Sequence, residues 1–334
     1  MIQGIQVETA RGPIGLEALG RVLVHEHVFV ISPEIQMNYP QEWGSDEMRI
    51  ADAAQRLNDL KAAGIDTIID PTALGLGRYI PRIVEVARRT DLNIVVATGL
   101  YTFNELPHYY RRRPLVGTAI DSMCSHFVQD ITEGVHGAFD ETGRGVRAGV
   151  IKCATDTPGL TDDVERTLRA CARAHRITGC PITTHTHATT QRGLDQQRVF
   201  AEEGVDLSRV LIGHCGDTDD LDYLQRVLDQ GSFIGMDRFG IDGYLTTDQR
   251  VEVVAELCRR GYAGQLSLSH DASCYIDWIA GEVPLGALPN WHYLHISQDV
   301  VPALLAAGVT DTQIDAMLID NPARFLGSAA GGGY

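Results

Sequence analysis

The sequence lacks the features that mark membrane, secreted and disulfide-bonded proteins. No segment approaches the run of about eighteen apolar residues that a transmembrane helix requires, and the stretch MIQGIQVETARGPIG has no apolar core of signal-peptide length. The seven cysteines include no closely spaced pair, and their number is odd, which favours reduced thiols. We therefore expect a cytoplasmic protein that is neither secreted nor membrane-spanning.

Positive charge is also scarce. The 28 lysine and arginine residues are outnumbered by 44 aspartate and glutamate residues, which gives a formal net charge of −16. Phosphate backbones and anionic membrane surfaces repel such a protein, so we expect neither nucleic acid nor a membrane as a partner. We interpret the short basic run at 111–113 as a solvated loop or an ion-pairing face. Apolar residues make up 44% of the chain, enough for a large core.

Eight short apolar runs recur along the chain, and a longer stretch with helical periodicity follows each of them. The runs are RVLVHEH (21–27), DTIID (66–70), NIVVATG (93–99), GVIKCA (149–154), PITTH (181–185), RVLIGH (209–214), SFIGMD (232–237) and QLSLSHD (265–271). Most lack polar alternation, as do parallel strands that are buried on both faces. An open doubly wound sheet would need a glycine-rich phosphate turn after its first strand, and none is present.

This alternation predicts an α/β fold, a single-domain (β/α)8 TIM barrel. We place the domain at residues 1–326 and expect a flexible tail at 327–334, where the sequence reads GSAAGGGY.

Ionisable residues stand at the ends of several predicted strands, where the active sites of such barrels lie. They are His25 and His27 on the first strand, Lys152 on the fourth, His185 on the fifth, His214 on the sixth and Asp271 on the eighth. One histidine on an apolar strand is usually a core residue, but burying this whole set together is costly unless a metal compensates. Imidazole and carboxylate suit zinc, cobalt, iron or manganese. Alternation along the strand turns Glu26 away from this set, towards a structural partner.

These residues, in this order, resemble those of the amidohydrolase superfamily, and specifically the phosphotriesterase-like lactonases. The resemblance extends from near residue 10 to near residue 326. It is carried by the strings VHEH, DPTALGLGRYIPRI, GVIKCATDTPGLT, THTHATTQRGLDQQRVFAEEGVDLSRVLIGHCGDTDD, GMDRFG and SHDASCYIDW.

The resemblance implies a centre of two divalent metal ions. His25, His27 and Asp271 would hold the more buried ion, and His185 and His214 the more exposed one. Lys152 would bridge the pair as a carbamate formed with carbon dioxide, together with a hydroxide. The resemblance also implies a homodimer.

The phrase DRFG around Arg238 resembles the lactonase branch of this family and implies a metal-dependent lactonase. The expected substrates are N-acyl-homoserine lactones or related lactones, which would make the enzyme a quorum-quenching one, with weak phosphotriesterase activity beside it. Hydroxide would attack the carbonyl carbon, and Asp271 would pass the proton to the leaving alkoxide. A dedicated phosphotriesterase or a carboxylesterase is the alternative, and a non-catalytic metal-binding barrel is disfavoured because every expected ligand is present.

Four residues near the predicted mouth have two interpretations each. Tyr101 could donate a hydrogen bond to the lactone oxygens or only pack against its neighbours. Arg238 could contact the substrate or form a structural ion pair. Phe103 and Trp278 could form the wall for an acyl chain or belong to the core. His270 must diverge from Asp271 along the strand and is best interpreted as a partner of the site rather than a ligand.

Overall fold

The computed structural model describes residues 4–113, 121–279 and 288–334. The chain begins with an antiparallel hairpin of β1 (Gln6–Thr9) and β2 (Gly12–Gly15). The eight barrel strands follow as β3 (Val22–Leu23), β5 (Thr67–Asp70), β6 (Asn93–Gly99), β7 (Val150–Ala154), β8 (Ile182–His185), β9 (Val210–Ile212), β10 (Phe233–Met236) and β11 (Leu266–Leu268). A short parallel pair at the barrel mouth consists of β4 (His27–Val30) and β12 (Ser273–Ile276).

The barrel strands form one parallel sheet in sequence order, from β3 to β11. Backbone hydrogen bonds also join the two ends of this sheet: Asp271 N–H donates to His25 O at 3.0 Å, and His27 N–H donates to Ala272 O at 2.8 Å. The predicted (β/α)8 barrel is therefore confirmed as a sheet of eight parallel strands that nearly closes on itself.

The first predicted strand differs in detail from the observed one. Residues 21–27 do not form one strand, because the chain changes its pairing partner within the run. Val22 and Leu23 pair with β5, and from His27 onward the chain pairs with β12. The residues between β3 and β4, which are Val24, His25 and Glu26, are thereby placed at the seam where the barrel closes.

Helices surround the sheet. They are α1 (Pro33–Asn38), α2 (Asp46–Ala62), α3 (Ile80–Ala87), α4 (His108–Arg111), α5 (Ser122–Thr132), α6 (Asp162–Thr178), α7 (Arg192–Glu202), α8 (Leu221–Asp229), α9 (Thr247–Arg259), α10 (Val301–Ala306), α11 (Asp311–Asp315) and α12 (Asn321–Gly327), with π-helical turns at Ile296–Val300 and Ala316–Asp320. As predicted, α6 ends at Gly179, whose φ of 78° is the left-handed conformation that favours glycine. Among the helices of the described ranges, none is both long and apolar enough to cross a membrane.

The core has two parts, and their division explains where the site lies. The larger cluster packs the sheet against the helices. The smaller cluster contains residues that lie two apart in the sequence, such as Val22 with Val24 and Val95 with Ala97. Because residues two apart on a strand share a face, the smaller cluster fills the barrel interior. Phe325 of α12 belongs to it, so the interior is packed below the mouth and the polar layer lies above it.

The C-terminal segment contacts the barrel. The hydroxyl of Tyr334 lies 2.9 Å from Nε2 of His175 and accepts a hydrogen bond of 2.6 Å from Asp206 N–H. The Tyr334 N–H donates to Arg176 O at 2.8 Å. These contacts attach the last residue to α6 and to the loop before β9, and the flexibility of 327–334 stays a prediction.

Candidate metal centre

All six predicted ligands lie among the described residues and meet at the C-terminal mouth. Each is buried, apart from Asp271, whose side chain is 13% exposed. Two of them have left-handed backbones that non-glycine residues rarely adopt: φ is 59° at His214 and 56° at Asp271. Such a conformation persists only where surrounding contacts enforce it, and it is common at functional sites.

His25, His27 and Asp271 form one tight group, the set predicted for the more buried ion. Nε2 of His25 and Nε2 of His27 lie 3.6 and 3.3 Å from Oδ1 of Asp271. The ligand atoms of the three residues are all within 4.8 Å of one another, close enough to hold one metal ion. Lys152 borders this group, with Nζ 3.1 Å from Nε2 of His25.

His185 and His214 lie next to each other, with ring centroids 4.5 Å apart, and the ring of His214 lies 4.7 Å from that of His25. Nε2 of His214 is 3.8 Å from Oδ2 of Asp271. Nε2 of His185 is occupied by Asp156, at 2.7 Å, so Nδ1 is the nitrogen left for a metal. His185 and His214, the ligands predicted for the more exposed ion, therefore both lie at the site. The partner of His185, Asp156, was not predicted from the sequence.

In the other three histidines, the ring nitrogen that points away from Asp271 is Nδ1, and buried carboxylates lie near this atom as well. Oδ1 of Asp237 accepts from the backbone N–H of His214 at 2.7 Å and lies 3.0 Å from its Nδ1. Oδ2 of Asp237 faces Nδ1 of His25 at 3.2 Å, although the pair is not aligned as a hydrogen bond. Nδ1 of His27 lies 2.7 Å from the hydroxyl of Thr72, which donates to Asp70. Such partners fix the orientation and tautomer of metal-ligating histidines.

Asp70 and Asp237 could have been found from the sequence, because each is the last residue of a predicted strand, DTIID and SFIGMD. The predicted ligands lie at the ends of five other strands, and the aspartates that end the second and seventh strands were not included. Ligand atoms of His25, His214 and Asp237 form a second group that could hold a metal. This grouping includes an aspartate that was not predicted and leaves out His185.

Three of the four predicted histidine ligands have protonation states that fit a divalent cation. Burial lowers the pKa of His185 to about 4 and holds the pKa of His25 and of His214 well below the usual value, so these imidazoles are neutral at pH 7. Burial would also lower the pKa of His27, but hydrogen bonds with Asp271 and Asp70 raise it to about 8. Burial lowers the pKa of Lys152 to about 8. A neutral amine is the form of lysine that can react with carbon dioxide.

Arg238 forms an ion pair with the central aspartate. Its Nε donates to Oδ2 of Asp271 at 2.8 Å and its Nη1 donates to Oδ2 of Asp217 at 2.9 Å. Burial alone would raise the pKa of Asp271, yet the Arg238 guanidinium holds that pKa well below its usual range. The structure shows the predicted ion pair of Arg238, and its contact with substrate stays a prediction.

A cavity of about 220 Å³ opens onto this centre. Its described lining combines the six predicted ligands with Tyr101, Arg238, Tyr244, Ser273 and apolar side chains: Val30, Leu76, Ile241, Ile276, Trp278, Ile279, Leu288 and Trp291. The hydroxyl of Tyr101 lies 3.4 Å from Nδ1 of His185. Phe103 is not among the lining residues but packs its ring against Tyr101, at 5.4 Å, and His185, at 6.1 Å. Its predicted contact with substrate stays a prediction.

A barrel that carries histidines, a buried lysine and an aspartate at its C-terminal mouth defines a class, the metal-dependent hydrolases built on this fold. The sequence profile of the phosphotriesterase family matches residues 5–326. The chain therefore belongs to the phosphotriesterase family, whose members are hydrolases with a site for two divalent metal ions.

Individual relatives agree with this assignment. The chain is 55% identical to a phosphotriesterase homology protein of Mycobacterium tuberculosis over 324 residues, which cover 96% of this chain and 97% of the relative. It is 39% identical to the aryldialkylphosphatase of Saccharolobus solfataricus over 92% of this chain and 95% of the relative. The solved structure of the phosphotriesterase from Mycobacterium tuberculosis superposes with a TM-score of 0.93 and 54% identity, over 98% of this chain and all of that one.

Proposed function

We propose that this protein is a metal-dependent lactonase that hydrolyses N-acyl-homoserine lactones or related lactones, and thereby acts in quorum quenching. Weak phosphotriesterase activity would accompany it. The observation that carries the proposal is the lining of the cavity, which places largely apolar walls directly over the metal-type centre.

The electrostatics of this cavity favour a neutral substrate. Within the described lining, Arg238 supplies the one guanidinium group, and the carboxylates of Asp271 and Asp217 already engage it. Lys152 is buried at the base of the site. An anionic substrate would find no unpaired guanidinium among these residues to bind its charge. A lactone or a neutral phosphate triester needs none, and the DRFG phrase at Arg238 resembles the lactonase branch.

We propose that two divalent ions, of zinc, cobalt, iron or manganese, bind here: His25, His27 and Asp271 would hold one, and His185 and His214 the other. Lys152, as a carbamate, would contribute to both. When bound, such ions lower the pKa of water towards neutrality and polarise a carbonyl oxygen.

Three side chains of the protein would transfer the proton, orient the lactone and contact the acyl chain. Asp271 stays ionised because Arg238 stabilises its charge, so its carboxylate is ready to accept a proton and return it to the leaving alkoxide. Burial raises the pKa of Tyr101 above its usual value, so its hydroxyl stays protonated and can donate a hydrogen bond to a lactone oxygen. Trp278 would contact the acyl chain.

The test is a substrate panel. We expect kcat/KM for a homologous series of acyl-homoserine lactones to exceed kcat/KM for paraoxon, and both activities to disappear after chelation and return with added zinc or cobalt. A preference for paraoxon would instead identify a dedicated phosphotriesterase. Absence of metal-dependent turnover on every lactone would refute the proposal.

We also propose a cytoplasmic homodimer. All seven cysteines are free and buried, as suits a reducing compartment. Large exposed apolar side chains lie near Trp43: Ile35, Tyr39, Met48 and Tyr79. Such a patch is suited to self-association. Light scattering should give twice the chain mass of 36.5 kDa, and Tyr39→Glu should shift it towards the monomer.

A further inference from the structure

Glu26 lies between two predicted ligands in the sequence, yet its side chain points away from them. The side chain is fully buried. Its carboxylate accepts hydrogen bonds from the hydroxyl of Ser269 at 2.8 Å, the backbone N–H of His270 at 2.8 Å, Nδ1 of His270 at 2.6 Å and the backbone N–H of Ala272 at 2.9 Å. One carboxylate thus contacts three residues of the turn that carries Asp271.

These contacts enclose a strained residue. Asp271 has a left-handed backbone, with φ of 56°, a conformation that L-residues other than glycine rarely adopt. The backbone N–H groups on either side of it, at His270 and Ala272, both donate to Glu26. The N–H of Asp271 itself donates to the carbonyl of His25. Glu26 therefore holds the turn on both sides of the strained residue.

The tautomer of His270 completes the arrangement. The backbone N–H of Ile296 donates to Nε2 of His270 at 2.8 Å, so Nε2 is an acceptor and Nδ1 carries the proton that is donated to Glu26. The other left-handed residue of the site, His214, is held in a comparable way, because its backbone N–H donates to the buried carboxylate of Asp237.

We propose that Glu26 is a positioning residue: it locks the Ser269–Ala272 turn so that the carboxylate of Asp271 meets His25 and His27. The same residue thereby sets the separation of two ligand-bearing segments, one on each side of the barrel seam. This inference rests on the proposed metal-dependent function of the site, and it assigns to Glu26 a role in metal affinity as well as in stability.

The variant Glu26→Gln tests this role with almost no change in size. The amide has one acceptor oxygen and an NH2 group that can only donate, so one of the backbone N–H groups beside Asp271 loses its partner. We expect the dissociation constant for Co²⁺, measured by titration of the metal-free protein, to rise about 10–100-fold. We expect the visible spectrum of the Co²⁺-loaded protein to change and kcat to fall by a similar factor, with little change in KM.

Asp140→Asn is the matched control. Asp140 is also buried, and its Oδ1 accepts from Thr142 N–H at 2.9 Å and from Arg144 N–H at 3.0 Å. It lies beside Gly12 of the N-terminal hairpin. This variant should lose stability while keeping Co²⁺ affinity, spectrum and kcat. If Glu26→Gln behaves in the same way, Glu26 is a structural residue only and the proposal is refuted.

A second variant covers the case in which Glu26→Gln does not fold. Glu26→Asp keeps the charge and both acceptor oxygens but withdraws them from the turn by one methylene group; a Co²⁺ affinity several-fold weaker supports the proposal, and unchanged affinity overturns it. Metal affinity is measured without a substrate. Wild-type protein that binds Co²⁺ but hydrolyses no lactone would therefore refute the proposed substrate class and leave this test intact.

Discussion

At the scale of single residues, the site depends on groups that would be costly to bury alone. Lys152 is 1% exposed and lies within 3.1 Å of His25. Metal ions beside it would repel a positively charged ammonium group. Conversion of the amine to an anionic carbamate would remove this repulsion.

Replacing Lys152 should abolish most of the activity. For Lys152→Ala we expect kcat/KM to fall at least about 100-fold and the amount of retained metal to decrease. Loss of a residue that only orients a ligand typically costs about 10–100-fold, and loss of a ligand proposed to contact both ions should cost more. Lactone assays and metal analysis after dialysis measure both effects. Partial restoration by short carboxylic acids such as acetate would support the carbamate. Full activity in the variant without any additive would remove Lys152 from the mechanism.

Substitution of Asp156 tests the carboxylates that orient the histidine rings. It accepts a 2.7 Å hydrogen bond from Nε2 of His185 and so leaves Nδ1 for the metal. For Asp156→Asn we expect the affinity for the ion held by His185 and His214 to fall about 10–100-fold. Asp156 accepts from both Nε2 of His185 and the backbone N–H of Thr157, and an amide has only one acceptor oxygen for these two donors. Sequential metal release during chelator titration measures this. Asp52→Asn, which alters an exposed pair with Arg56, should titrate like the wild type, and equal behaviour of the two variants would contradict the assignment.

At the scale of elements, the strands and helices follow from local patterns in the sequence. Each predicted apolar run contains an observed barrel strand, and α6 ends at the predicted glycine. The exceptions concern pairing. Periodicity did not show that the first run divides its pairing between β5 and β12, because both partners are distant in sequence.

Helix α6 offers a prediction that separates stability from function. The Thr161 side chain accepts a hydrogen bond from Val164 N–H and caps the helix, while its hydroxyl donates to Asn104 O. Thr161→Ala should lower the free energy of unfolding by about 1 kcal/mol, as measured by urea denaturation, with kcat unchanged. Thr161→Ser, which keeps the hydroxyl, should restore most of the stability. A large fall in kcat in Thr161→Ala would mean that this helix start also shapes the mouth.

At the scale of the whole molecule, the barrel brings together buried groups whose protonation couples stability to pH. Burial lowers the pKa of His185 from 6.5 to about 4, so the folded state binds fewer protons there than the unfolded state. The resulting stability is complete above pH 6.5 and is lost as pH falls towards 4. His25 and His214 act in the same sense. His27 opposes them, because its pKa is raised to about 8.

Metal-free protein should therefore unfold more readily in acid. Between pH 7 and pH 4.5 we expect the free energy of unfolding to fall, with His185 alone contributing up to about 3 kcal/mol. Urea denaturation of chelator-treated protein at several pH values measures this. His185→Gln should show a shallower dependence on pH. Stability that rises on acidification would contradict the prediction and would point instead to Asp237, because burial raises the pKa of its carboxyl well above the usual value.

The sequence by itself determined the barrel, the strand ends and the identity of the six residues that meet at the mouth. It could do so because strand and helix periods are local, and because parallel strands of a barrel end at one face. The tertiary structure alone decided which atoms meet: that Arg238 pairs with Asp271 and Asp217, that Asp156 leaves His185 its Nδ1, and that Glu26 holds the turn of Asp271. Those contacts join strands and loops far apart in the chain, and closure of the barrel, which no local pattern encodes, sets their distances.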